Sequence, residues 1–156
     1  MKINWIEKKY SAEETTFIMY CLGIIAGCGI LISLFRNLTL CMELGKDDTA
    51  DYIWKILPEN ITLLSMIICS VLVCLMIGQV RKKQVFTLFN ANVIQAMGLV
   101  LEANGIAQYF LRDRMPGADA DSQIYMIFML MGVFFSFISC LFKLGIQMQE
   151  EQDLTV

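Results

Sequence analysis

The chain has no histidine, which removes at once the commonest general base and the commonest metal ligand. Its six cysteines (Cys21, Cys28, Cys41, Cys69, Cys74 and Cys140) show no CxxC spacing, so neither the usual zinc pattern nor a dithiol motif is present. Five of the six lie inside apolar runs, where a thiol behaves as a small hydrophobe. There is no nucleophile motif and no metal-binding set, which leaves the requirements of an enzyme site unmet. The expectation is therefore a non-enzymatic protein with no cofactor and no metal. Charge is scarce as well: charged residues make up 17% of the chain, the net charge is −3, and no long basic stripe occurs. Direct binding of nucleic acid is thereby excluded from the expected functions. Met66, Met76, Met97, Met126, Met129 and Met131 form no repeated methionine motif and are expected to be adaptable packing.

What is present instead is apolar sequence gathered in blocks: 57% of the residues are hydrophobic and the mean hydropathy is +0.61. Ser122 to Phe142 carries no charge and is dominated by Ile, Met, Phe and Leu. As a helix it is roughly 30 Å long, the thickness of a bilayer's hydrocarbon core. A soluble domain of this size has no use for a helix that is apolar on every side.

Taken in order, the chain predicts four spans, about 15–35, 60–80, 88–111 and 122–142, in one membrane domain with a tail at 143–156. Ser11-Ala12-Glu13-Glu14 reads as a capping box ahead of the first span, which Arg36 stops. That run is too long for a signal peptide and lacks a small-residue cleavage site. Gly45-Lys46-Asp47-Asp48 marks a turn, Thr49 to Leu57 reads as a short amphipathic helix with Trp54 at the headgroups, and Pro58 suits the first turn of the second span. Arg81-Lys82-Lys83 ends that span. Thr87 is a natural N-cap for the third, with Phe86 placed to fold back on its first turn. The expected fold is all-α: a polytopic membrane protein with four transmembrane helices in an antiparallel bundle.

Seven Lys and Arg residues lie in the N-terminal segment, the Arg81 to Lys83 turn and the tail, against five in the two longer connections, which are acidic. The positive-inside rule then places both termini in the cytoplasm.

Three groups of residues are candidates for function. Asn92, Gln95 and Glu102 share one face of the third helix with Leu99. An ionisable residue inside a span is a functional candidate by default. The alternative is that Asn92 and Gln95 hydrogen-bond between helices while Glu102 reaches the headgroups or pairs with Arg36; no second intramembrane ionisable residue is expected. Gly23 and Gly27 form a GxxxG pair, and Gly132 with Ser136 a similar small face, suited to helix packing within the monomer or to a homo-oligomer. Arg81, Lys82 and Lys83, with Gln147, Gln149, Glu150, Glu151, Asp153, Leu154 and Thr155 of the tail, are candidates for docking a partner. As a merely solvated end, the tail would be disordered; its first part can instead prolong the fourth helix, with Gly145 a weak point.

Phe86-Thr87-Leu88-Phe89-Asn90 before an apolar helix, and the ending Lys143-Leu144-Gly145-Ile146-Gln147-Met148-Gln149-Glu150-Glu151-Gln152-Asp153-Leu154-Thr155-Val156, resemble a family of small bacterial four-span membrane proteins, domain-of-unknown-function family twenty-nine seventy-five. The chain departs from that family at Val85, where Pro is usual, and at Met148, where Leu is usual. The resemblance implies a multi-pass protein of the bacterial cytoplasmic membrane. It also implies a small helix-turn-helix regulator as partner, because such a gene often neighbours the family's members. The expected function is thus a regulatory or interaction partner of that regulator. The alternative is a small transporter, channel subunit or immunity-type membrane protein working through the polar face of the third helix.

Overall fold

The computed structural model describes residues 12–46, 50–82, 84–112 and 123–153. They form four helices in succession: α1 (Ala12–Leu44), α2 (Ala50–Arg81), α3 (Leu88–Arg112) and α4 (Ile124–Asp153). The all-α expectation holds. Contacts between neighbours run in opposite senses along each pair, so the helices alternate in direction. Arg36 meets Glu59 while Tyr20 meets Arg81. Asn104 meets Ser65 while Gln108 meets Pro58, and Glu102 meets Ser136 while Gln95 meets Lys143.

Each helix packs on its chain neighbour, with α3 against α4 the most extensive pair; among the described residues no close backbone contact joins α1 to α3 or to α4. The order is therefore a curved row, α1-α2-α3-α4, with a cleft between its two ends. Large apolar side chains, among them Ile25, Ile32, Phe35, Leu130, Phe134 and Phe137, are exposed on its outside. Such a surface suits a hydrocarbon solvent. Glu14–Leu44, Tyr52–Arg81 and Ile124–Gln152 are each long and apolar enough to cross a bilayer. Along α2, Glu59 and Arg81 stand about 33 Å apart at 1.5 Å per residue, which matches the hydrocarbon thickness.

The helix α3 is less apolar than the others. Its place explains why. It lies between α2 and α4, burying Asn104 and Gln108 against α2 and Asn90 at its own capping turn.

Several boundaries differ from expectation. The helix α1 does not stop at Arg36 but runs on to Leu44, because the guanidinium has partners there. Arg36 Nε donates to Glu59 Oε1 at 2.6 Å and Nη2 to Glu59 Oε2 at 3.3 Å, with Glu43 at 3.9 Å from Nη1. Both partners are exposed, so water and salt screen the pair and it adds little to stability. Gly45 and Lys46 form the start of the expected turn, while Asp47 to Thr49 lie outside the described residues, as does Ser11 of the capping box.

No separate amphipathic helix precedes the second span. Residues 50–81 are one continuous helix with Pro58 in its interior. Pro58 cannot donate the backbone bond expected at that turn. Its own carbonyl, a different group from the missing donor, accepts from two side chains, Thr62 Oγ1 at 3.0 Å and Gln108 Nε2 at 2.8 Å. The turn into α3 is capped as expected, Asn90 N donating to Thr87 Oγ1 at 3.3 Å. Asn90 Nδ2 clamps it further by donating to the carbonyls of Gln84 and Val85 at 2.8 and 2.7 Å. Phe86 does not fold back on α3; its ring packs on Phe142 of α4, centroids 5.3 Å apart. The fourth helix passes through Gly145 and continues to Asp153, so the tail up to that residue is helical.

Candidate functional site

Two sets of polar side chains join α3 to its neighbours, one on each flank of the helix. The first joins it to α2. Asn104 and Gln108 stand one turn apart on α3 and are buried to 2% and 8% exposure, so each needs partners of its own. Asn104 Nδ2 donates to Ser65 Oγ at 3.2 Å, and Ser65 Oγ donates to the Thr62 carbonyl at 2.8 Å. Gln108 Nε2 faces the Pro58 carbonyl at 2.8 Å, Thr62 Oγ1 at 2.9 Å and Asn104 Oδ1 at 3.5 Å. A polar group in hydrocarbon without a partner costs several kcal/mol. The Pro58 carbonyl lies where α3 can reach it, and the glutamine amide donates to it. Beside this network a cavity of about 260 Å³ opens between α2, α3 and α4, lined by Glu59, Leu63, Gln108 and Phe128.

The second set runs along the contact of α3 with α4. Lys143 Nζ donates to Gln95 Oε1 at 2.6 Å, and Ser136 Oγ donates to Glu102 Oε1 at 3.3 Å. Gln95 and Glu102 are two turns apart on α3, as Ser136 and Lys143 are on α4, so the four form one seam. Side chains in a helix lean toward its N-terminus. Lys143 therefore points back into the span rather than out of it. An acid and a base thus share the seam, each met by a neutral partner. Glu102 does not pair with Arg36, whose carboxylate partners are Glu59 and Glu43.

This seam exists because α3 and α4 approach to backbone contact. A Cβ on Gly98 would lie 2.7 Å from Ser136 Oγ and 2.8 Å from the Gly132 carbonyl; one on Gly105 would lie 2.9 Å from the Tyr125 carbonyl. Gly132 faces Glu102 Cγ and the Gly98 carbonyl. The GxxxG pair makes no such approach: a Cβ on Gly23 would be 4.0 Å from Ile77 Cδ1, and one on Gly27 would meet nothing within 4 Å.

Of the expected polar face, Gln95 and Glu102 lie on the seam while Asn92 is exposed and makes no part of it. Arg81 and Lys82 are exposed at the end of α2; Lys83 lies outside the described residues. Gln147, Gln149, Glu150 and Glu151 are exposed along the continuation of α4, which ends at Asp153, and Leu154 and Thr155 lie outside the described residues. Sequence reasoning missed Asn104 and Gln108 as a pair. The signal was available: two amides four residues apart, on a different face from Asn92 and Gln95.

No protein-family model, no curated protein and no solved structure matches the chain.

Proposed function

We propose that this chain is a multi-pass protein of the bacterial cytoplasmic membrane, both ends in the cytoplasm, that holds a small helix-turn-helix regulator without catalysing a reaction. The observation that carries this is the continuation of α4. Past Lys143 the helix runs on to Asp153, about 15 Å at 1.5 Å per residue, with Gln147, Gln149, Glu150 and Glu151 exposed. A solvated end has no reason to stay helical there. An acidic helix projecting from the membrane presents charges that compete with DNA phosphates for a basic recognition helix. Arg81 and Lys82, exposed at the same end of the bundle, give the surface a second sign of charge and with it a register. The resemblance at Phe86 to Asn90 and at Lys143 to Val156 supports the same partner class. Deleting residues 147–156 is expected to abolish co-purification of the regulator in mild detergent while removing no helix beyond the deleted turns of α4 and leaving the thermal midpoint unchanged. Co-purification that survives the deletion would contradict the proposal.

One observation favours a second function, transport or channel activity: the seam places Glu102 and Lys143 on the same α3-α4 contact. If the seam moves protons or ions, Glu102→Gln keeps the fold, since the amide still accepts from Ser136, and abolishes flux in proteoliposomes. Unchanged flux, or none in the parent chain, removes this function.

A further inference from the structure

The cleft between the two ends of the helix row encloses an apolar cavity of about 450 Å³. All four helices line it, through residues that include Leu22, Ile77, Val80, Met97, Phe135 and Phe142, and no polar surface faces it. Water does not stay in such a space, and the solvent around the bundle at this depth is lipid. The position of the cavity along the bundle is specific. Val73 and Val80 both line it, so along α2 it extends about 10 Å, and it ends where the cations begin. Arg81 and Lys82 follow Val80 directly and are exposed. The Arg81 guanidinium lies 4.8 Å above the ring of Tyr20, whose chain neighbour Met19 lines the cavity from α1. Cations at the headgroup level and an apolar slot just beneath them match the two ends of one molecule.

We propose that the cleft is a binding site for an anionic phospholipid of the leaflet on the Arg81 side, with one acyl chain in the cavity and the phosphate against Arg81 and Lys82. The chain gains little from leaving bulk lipid, since hydrocarbon is exchanged for hydrocarbon. It restores the van der Waals contact that a void forfeits. Selection among lipids therefore comes from the head, where each cation near the surface favours an anionic lipid.

The test is native mass spectrometry of the full chain, purified in mild detergent and titrated with dioleoyl phosphatidylglycerol or dioleoyl phosphatidylcholine. One phosphatidylglycerol is expected to be retained in preference to phosphatidylcholine. Lys82→Gln is expected to weaken it about 5-fold, and Lys82→Gln with Arg81→Gln about 30-fold, from two cations at a membrane surface. Val73→Trp fills the slot and is expected to remove the adduct while the far-ultraviolet dichroism is kept. The single Lys82 variant keeps the test informative if loss of the Arg81–Tyr20 contact or a bulky Trp disturbs folding. Equal retention of the two lipids overturns the proposal. So does an adduct unaffected by Lys82→Gln and the double variant, or a dimer of the chain that carries no lipid.

Discussion

Gly98→Ala is expected to destabilise the protein by about 2 kcal/mol, although alanine favours a helix over glycine by about 1 kcal/mol. The added methyl would stand 2.7 Å from Ser136 Oγ, 2.8 Å from the Gly132 carbonyl and 3.1 Å from Ser136 N. Two of those three atoms are α4 backbone, which cannot turn aside as a flexible side chain would. The helices must separate, and separating them stretches both the Lys143–Gln95 bond and the Ser136–Glu102 bond. Gly27→Ala supplies the opposite sign. Nothing lies within 4 Å of its added Cβ, so only the helix-propensity gain remains and the change is neutral or stabilising. Unfolding titrations in mixed micelles measure both. Equal effects at the two glycines would mean that α3 and α4 do not touch as described.

Gln108→Ala is the second large effect, expected at about 1.5 kcal/mol, the upper range for hydrogen bonds between helices in a membrane. Gln108 is 8% exposed and its amide ties α3 to the Pro58 carbonyl and to Thr62 of α2. Without it, the Pro58 carbonyl loses the donor that α3 supplies and keeps the Thr62 hydroxyl of its own helix. Thr62→Val in the same background is expected to add less than it does alone, because the two act in one network. By contrast Asn92→Leu is expected to be neutral or stabilising, since Asn92 is exposed on the membrane-facing side of α3. The same titration checks all three variants. A larger loss at Asn92 than at Gln108 would show that the opposite face of α3 is the one that packs.

The contrast between these two faces also shows what could be read from sequence and what could not. The boundaries of α3 were legible because they are local: Thr87 caps the helix with its own hydroxyl, and Arg112 closes it. Apolar runs located the other helices for the same reason, since length and hydropathy alone decide whether a segment can cross lipid. Pro58 misled because proline at a first helical turn and proline inside a helix look alike in sequence. What separates them is whether residues 50–57 join the same helix, as they do here. The polar face of α3 was ambiguous in the same way. Polar residues sit on two flanks of the helix, and the partner of each flank is set by which helices stand on either side. Spacing located Gly132 with Ser136, which lie on the α3-α4 contact, but not the glycines that face them. Gly23 and Gly27 match a familiar pattern, yet Gly98 and Gly105, seven apart, share a face equally well and have the facing Gly132 that close approach requires. In sequence, Lys143 opens a polar tail because the apolar run ends before it. Only the continuation of α4 and the lean of its side chain bring it back to Gln95.

The most direct measurement is topology. In a chain whose native cysteines are replaced, single cysteines are introduced at Lys46, in the α1-α2 turn, and at Gln149, on the exposed continuation of α4. Intact cells are then treated with a membrane-impermeant maleimide. The expected result is labelling at position 46 in intact cells and at position 149 only after the membrane is opened. Labelling of position 149 from outside, or of both positions alike, would contradict a four-helix bundle that offers its helical acidic end to a partner in the cytoplasm.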